Sequence, residues 1–301
     1  MKRKLIICAV SSFILISCAS KKENMVYSGN VYEQAMQAYK SGDYKTAKDK
    51  LRKTIFSAEG VTPQQIMEAR FALADSYYQR EEYVDAIVEF EEFISLYPTS
   101  PKVPEALFKL SLSYLSVAPD YKRDITYINK AEEKAQEILD SYPDSEFVNG
   151  AKKVIAKARE IKAKHLIYIA DTYEKYGKFY SASLYYSDVY EKYKDYIEKD
   201  YIAYKLAYNL INAKKQYEDE IKKYTEYLKD TEKAIEKEQD LEAKNAMINR
   251  KKVIEDHLAL LNERIEKSKE RAIDILKLFS KAFPDSKYKK DAENLLSKVE
   301  K

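Results

Sequence analysis

The sequence predicts an all-α fold, and three observations carry that reading. Glycine and proline are scarce, 5 and 7 of 301 residues, so tight turns are few. Apolar residues recur at intervals of three and four rather than alternating, which is helical and not strand periodicity. The third is a recurring spacing, Ala86, Phe90, Phe93, Pro98, in which a small residue, two large ones and a helix breaker follow by steps of four, three and five. Tyr is abundant at 28 while Trp is missing, so Tyr takes much of the bulky packing and keeps a polar tip.

Residues 1–17 read as a secretory signal. Lys2, Arg3 and Lys4 form a positive start, and Leu5 to Ile16 form an apolar stretch too short for an ordinary spanning helix. Leu15, Ile16, Ser17 and Cys18 then resemble a bacterial lipobox. That resemblance implies cleavage before Cys18 and acylation of its thiol and new amine; an ordinary signal with an incidental Cys is the alternative. Each buried acyl CH₂ contributes about 0.8 kcal/mol, so several chains anchor firmly. Cys8 leaves with the signal, and one remaining thiol permits no internal disulfide, so stability must come from packing. The same cleavage leaves 50 basic against 50 acidic residues. Neutrality together with export argues against a nucleic-acid partner. Residues 18–30 are polar and weakly patterned, as a tether would be.

Beyond the tether the elements come in pairs. Residues 67–99 hold the clearest copy: Leu73, Ala74 and Tyr77 on one helix, then Tyr83, Ala86, Phe90 and Phe93 on the next, closed by Pro98. This is the spacing of a tetratricopeptide (TPR) unit, whose apolar faces only neighbouring units can cover. Second helices repeat at Ala131, Ala135, Ile138, Pro143 and at Ala272, Leu276, Phe279, Pro284. Ala182, Tyr186, Val189 keeps the steps with Lys194 in place of Pro, and Ala47, Leu51, Thr54 after Gly42, Asp43, Tyr44 is the weakest copy. First helices align at Leu73/Ala74, Leu110/Ser111, Ile169/Ala170 and Leu206/Ala207. About five units follow: residues 31–100 hold units one and two, 101–196 units three and four, and 200–301 the fifth.

Four local features refine this order. The prolines stand in Tyr97-Pro98-Thr99-Ser100, Tyr142-Pro143-Asp144-Ser145 and Phe283-Pro284-Asp285-Ser286, each a stop followed by a Ser able to accept from the next helix's start. Unit three carries an inserted loop around Val117 to Thr126. One long helix, roughly Glu146 to Tyr176, joins units three and four, with Gly150 unfavourable near its start. Unit five is split at about residues 214–270 by a charged segment without Gly or Pro. Its apolar residues fall at heptad spacing, Ile221, Leu228, Ile235 outward and Met247, Ile254, Leu258, Leu261, Ile265 returning. An antiparallel coiled-coil-like hairpin turning within Glu238 to Asn245 satisfies that pattern.

Catalytic chemistry has no visible constellation. His165 and His257 lie in helical patterns without a Ser or Cys partner, and neither a Gly-rich phosphate loop nor zinc spacing occurs, so no enzyme activity, cofactor or metal is expected. The inner face of the first helices is more telling. Groove-facing TPR positions hold Tyr32, Met36 and Tyr39, then Phe71, Asp75 and Tyr78, then Phe108, Leu112 and Leu115, with Ile167, Asp171 and Glu174 in unit four. An apolar, aromatic strip over three units is expected to seat an extended peptide with aromatic side chains, unless these residues pack on one another.

The lipobox, short tether, about five TPR units, unit-three insertion and long joining helix together resemble the BamD (ComL) family of the outer-membrane β-barrel assembly machinery. The resemblance covers roughly Cys18 to Tyr196, with Tyr142-Pro143-Asp144-Ser145 and the Gly177, Phe179, Ala182 turn among its anchors; the unit-five insert departs from the compact family form. It implies an outer-membrane lipoprotein on the periplasmic face, Ala19 after the acylated Cys resembling those forwarded there. It also implies N-terminal units that meet unfolded outer-membrane proteins and C-terminal units that meet the barrel-inserting, BamA-like subunit. A lipoprotein piloting another envelope machine, such as a pilus secretin, is the second reading.

Overall fold

The computed structural model describes residues 29–57 and 60–300, and every regular element among them is helical. Helices α1 (Val31–Lys40) and α2 (Tyr44–Ser57), α3 (Pro63–Gln79) and α4 (Tyr83–Leu96), α5 (Val103–Val117) and α6 (Thr126–Ser141), and α7 (Val148–Lys175) and α8 (Phe179–Lys192) pack as successive antiparallel pairs. A 3-10 turn at Lys194–Tyr196 leads into α9 (Lys199–Lys237), which pairs with α10 (Leu241–Ala282) before α11 (Lys289–Val299) closes the chain. This is an all-α TPR-like solenoid. The signal at residues 1–17, Cys18 and the tether as far as residue 28 lie outside the described residues.

Alanines make the pairing possible. Ala35, Ala38, Ala47, Ala74, Ala86, Ala131, Ala135, Ala182 and Ala272 are fully buried where helices touch, while Phe90, Phe93, Tyr114, Tyr186 and Phe279 fill the space between pairs. Even the weakest sequence copy, Ala47, Leu51 and Thr54, is fully buried. The apolar interior divides in two, one cluster from Ala35 to Ile155 and one from Ala163 to Ala292, with α7 running through both. At the junction Glu132 of α6 takes Arg159 Nε at 2.7 Å and Lys162 Nζ at 2.6 Å, and Arg159 also reaches the Tyr196 hydroxyl at 3.1 Å.

The breaks between helices follow local chemistry. Asn30 and Thr62 close capping boxes with Glu33 and Gln65. Ser100, Ser145 and Ser286 accept from the amides of Lys102, Phe147 and Tyr288, each standing just ahead of α5, α7 or α11. Three first-to-second helix turns are alike: Gly42, Glu81 and Gly177 adopt left-handed φ of 78°, 60° and 70°. In each, the following amide reaches back to Ala38, Tyr77 or Tyr173. Glu81 is therefore a side-chain-bearing residue in a glycine position. Gly150 has a different use, since a Cβ there would lie 2.6 Å from the Phe108 ring.

The split in unit five is a helical hairpin. Its turn occupies residues 238–240, where Asp240 caps α10 through the Ala243 amide at 2.8 Å. Beside the apolar heptad residues runs a second column that the pattern did not reveal, with Tyr217 and Thr231 buried on α9 and Ser268 buried on α10. Tyr224 of the same column meets the His257 ring at 4.4 Å, and His257 bonds Glu220 at 2.9 Å. Arg271 fixes the hairpin's base by donating to Ser187 at 2.7 Å and Glu191 at 2.8 Å.

Two substitutions test these local readings by urea unfolding. Glu81→Gly is expected to stabilise the protein by about 0.5–1 kcal/mol, because glycine removes the left-handed penalty at that turn; a loss of stability contradicts it. Gly150→Ala is expected to cost about 1–2 kcal/mol through overpacking on Phe108. The same change should become neutral or favourable beside Phe108→Ala, where only helix propensity remains; an unchanged cost would remove the ring from the explanation.

Candidate functional site

The inner edge of the first two pairs, with the start of α5, encloses a cleft of about 400 Å³. Tyr32, Met36, Tyr39 and Lys40 come from α1, and Gln64, Met67, Glu68, Phe71 and Ala72 from α3. Phe93 of α4 and Ser100, Pro101 and Lys102 ahead of α5 complete it. The stagger of the two capped helices sets Tyr32 opposite Glu68 and Tyr39 opposite Asp75, and each hydroxyl donates to its carboxylate, at 2.5 and 2.6 Å. The rings thus stand as walls while their oxygens are satisfied.

The groove residues named from the sequence divide into three groups. Tyr32, Met36 and Tyr39 line the cleft, half-buried. Phe71 is its floor, only 5% exposed, held edge-on against Phe90 and Phe93 at centroid distances of 6.1 and 5.4 Å. The remainder lies outside the cleft. Asp75 is buried and takes Lys109 Nζ at 2.6 Å as well as Tyr39. Tyr78 leans on Tyr83, and Phe108 packs on Phe147. Leu112 and Leu115 rest half-buried on the first core. In unit four, Ile167 rests on the second core, Asp171 accepts from Tyr186, and Glu174 accepts from Lys205 and Asn209, both at 2.6 Å. Of the groove residues named from the sequence, only Tyr32, Met36, Tyr39 and Phe71 line this cleft.

The cleft carries the ionised Glu68 in its wall and two lysines at its rim, Lys40 and Lys102, the latter paired with Glu105 at 2.8 Å. Burial and the bond to Glu68 push Tyr32 up to about 12, and burial with the Asp75 bond pushes Tyr39 up as well. Glu68 is held below the usual carboxylate range by the Tyr32 hydroxyl and Gln64. For Lys109 burial opposes the charge, but the bonds to Asp75 and Glu105 outweigh it and raise its pKa. Lys102 lies 5.0 Å above the Phe71 ring, a cation-π contact at the mouth. Sequence reasoning missed Met67, Gln64, Lys40 and Lys102. Met67 was within reach, one turn before Phe71 on the same face, whereas Lys102 enters only through the Pro98–Ser100 turn.

The histidines are taken up by structure, His165 Nδ1 meeting the Tyr121 carbonyl at 2.6 Å and His257 meeting Glu220. Among the described residues no cluster of His, Cys, Asp and Glu could hold a metal ion, and no helix is long and apolar enough to cross a membrane.

Comparison with known proteins gives the lineage. A family model described as YfiO, outer membrane lipoprotein, matches residues 24–228. The chain is 33% identical over 291 residues to a protein of Aquifex aeolicus (strain VF5) assigned as outer membrane protein assembly factor BamD, covering 95% of this chain and 94% of that relative. It is 25% identical over 169 residues to the BamD of Caulobacter vibrioides, 54% of each chain. For the BamD of Pasteurella multocida (strain Pm70) the figure is 22% over 181 residues, 56% of this chain and 68% of the relative. The family match ends inside α9, so most of the hairpin lies beyond it, yet the Aquifex match runs almost end to end. With most of its length matched by that model and one relative aligned over nearly all of it, the chain belongs to the YfiO (BamD) family of outer membrane lipoproteins.

Proposed function

We propose that this protein is a scaffold of a β-barrel assembly complex, anchored by acyl chains on Cys18 to the periplasmic face of the outer membrane. Its N-terminal cleft receives unfolded outer-membrane protein clients, and its C-terminal pairs engage the barrel-inserting, BamA-like subunit. It works by binding and not by catalysis. Relatives assigned as assembly factors support the setting. The observation that carries the client reading is the cleft itself: aromatic and Met side chains in open reach, their hydroxyls already bonded, beside Lys and Gln at the rim.

Such a surface suits an extended strand. Alternate aromatic side chains of a client would enter the apolar space between α1 and α3, and Lys40, Gln64 and Lys102 offer donors to its carbonyls. Met side chains adapt to different rings, which suits a receiver of many clients. Because Phe71 is packed into the core, the informative changes are at the walls. Met36→Ser with Met67→Ser is expected to lower photo-crosslinking to an aromatic-rich extended peptide by about tenfold, from two lost apolar contacts. Far-UV helicity and co-purification of the barrel-inserting subunit should stay unchanged. Equal peptide capture by the double variant would reject the cleft as the client site.

A further inference from the structure

Phe56, in the last turn of α2, is 83% exposed, more than any other large apolar side chain among the described residues. It shares a face with the exposed Arg52 and Lys53, which precede it by four and three positions. The helix around it is basic, with Lys45, Lys48, Lys50, Arg52 and Lys53 against Asp49 alone. Lys48 is engaged by Glu82, and Lys50 donates to Gln34 at 2.8 Å. Arg52 and Lys53 make no ion pair among the described residues; Arg52 acts electrostatically on Tyr77 of α3 and Glu89 of α4. An exposed ring beside cations of this kind fits the layer between anionic headgroups and acyl chains.

Chain geometry names the occupant. The Lys50–Gln34 bond fixes the antiparallel register of α1 and α2, and one turn further along, Asn30 comes level with the Thr54–Phe56 end of α2. The chain from the anchor therefore enters beside Phe56. Cys18 precedes Gly29 by eleven residues, which at full extension span at most about 40 Å. Glu33, the acid nearest that entry among the described residues, is committed to the capping box. Resting on the reading that Cys18 is acylated, we infer that the C-terminal end of α2 docks on the anionic phospholipid surface of the membrane holding the anchor. Phe56 enters the headgroup layer, and Arg52 and Lys53 pair with lipid phosphates. The neighbouring helix sets the tilt: α4 carries the exposed acids Asp85, Glu91 and Glu92, of which Glu91 accepts from Tyr114 and Glu92 pairs with Arg70, and the same surface repels this acidic face. Contact is thus edge-on through α2, and it fixes the direction in which the cleft between α1 and α3 opens.

The absence of Trp gives a direct test, because Phe56→Trp places a single reporter in the full-length lipidated protein. On vesicles of phosphatidylethanolamine and phosphatidylglycerol, its emission is expected to shift to the blue and to be quenched by brominated lipid. Adding Arg52→Gln with Lys53→Gln should lower the docked-to-undocked ratio roughly thirty-fold, and raised salt should act in the same direction. Vesicle flotation separates this proposal from the anchoring it rests on. Protein that fails to float loses the acyl anchor and the docking with it. Protein that floats through Cys18, shown by loss of flotation in Cys18→Ser, yet keeps solvent-like, unquenched emission, overturns the docking alone. A blue shift that needs no lipid and grows with protein concentration assigns Phe56 to a second copy, and overturns it too.

Discussion

Close contact between antiparallel helices through buried alanines is the constraint on which the rest of this molecule depends. Ala35 and Ala38 against Ala47, and Ala74 against Ala86, let the backbones approach, so that each pair becomes a slab with two apolar faces. A slab cannot cover itself, and each next pair does so with Phe90, Phe93, Tyr114 or Tyr186. The first pair has a neighbour on one side only among the described residues. Its inner helix therefore presents Tyr32, Met36 and Tyr39 to a cleft, where the equivalent surface of later units is closed by Phe147 on Phe108 or tied down through Asp171 and Glu174.

The abundance of tyrosine follows from the same architecture. A ring packs between helices, and its hydroxyl finds a carboxylate on a neighbouring helix: Tyr32 with Glu68, Tyr39 with Asp75, Tyr114 with Glu91, Tyr186 with Asp171. Phenylalanine would pack as well and fix the register less firmly, since the hydroxyl bond is directional. Burial and these bonds raise the phenol pKa at all four positions. A folded value raised above the unfolded one means that this contribution is complete below about pH 10 and is lost as pH rises through the folded value, about 12 for Tyr32. The tyrosine bonds therefore contribute in full throughout the neutral range.

Much of the fold was legible because its signals are periodic. The steps from Ala86 to Pro98 marked second helices, the longer Tyr114 to Ala131 interval marked the loop now seen between Val117 and Thr126, and heptads marked the hairpin. Three-dimensional neighbours were not legible. Gly150 looked like a weak point in α7, and only the Phe108 ring against it explains the absence of a side chain. Glu81 gave no sign of a left-handed backbone, because the turn is imposed by the helices on either side and not by its own preference. Helical phase put Phe71 and Asp75 on the face toward the groove, but their depth depends on what the next helices bring, here Phe90, Phe93 and Lys109. The exposed end of α2 had no periodic signal, since a single exposed ring and two cations do not make a pattern.

The central claim is that the first two pairs receive an extended aromatic strand while the last pairs hold the assembly partner. Hydrogen exchange of the full protein, with and without an aromatic-rich extended peptide, reads this directly. Slower exchange is expected in α1 and in the Gln64–Ala72 half of α3, with α8 to α11 unchanged. Protection confined to α9 to α11, or none at saturating peptide, would contradict it.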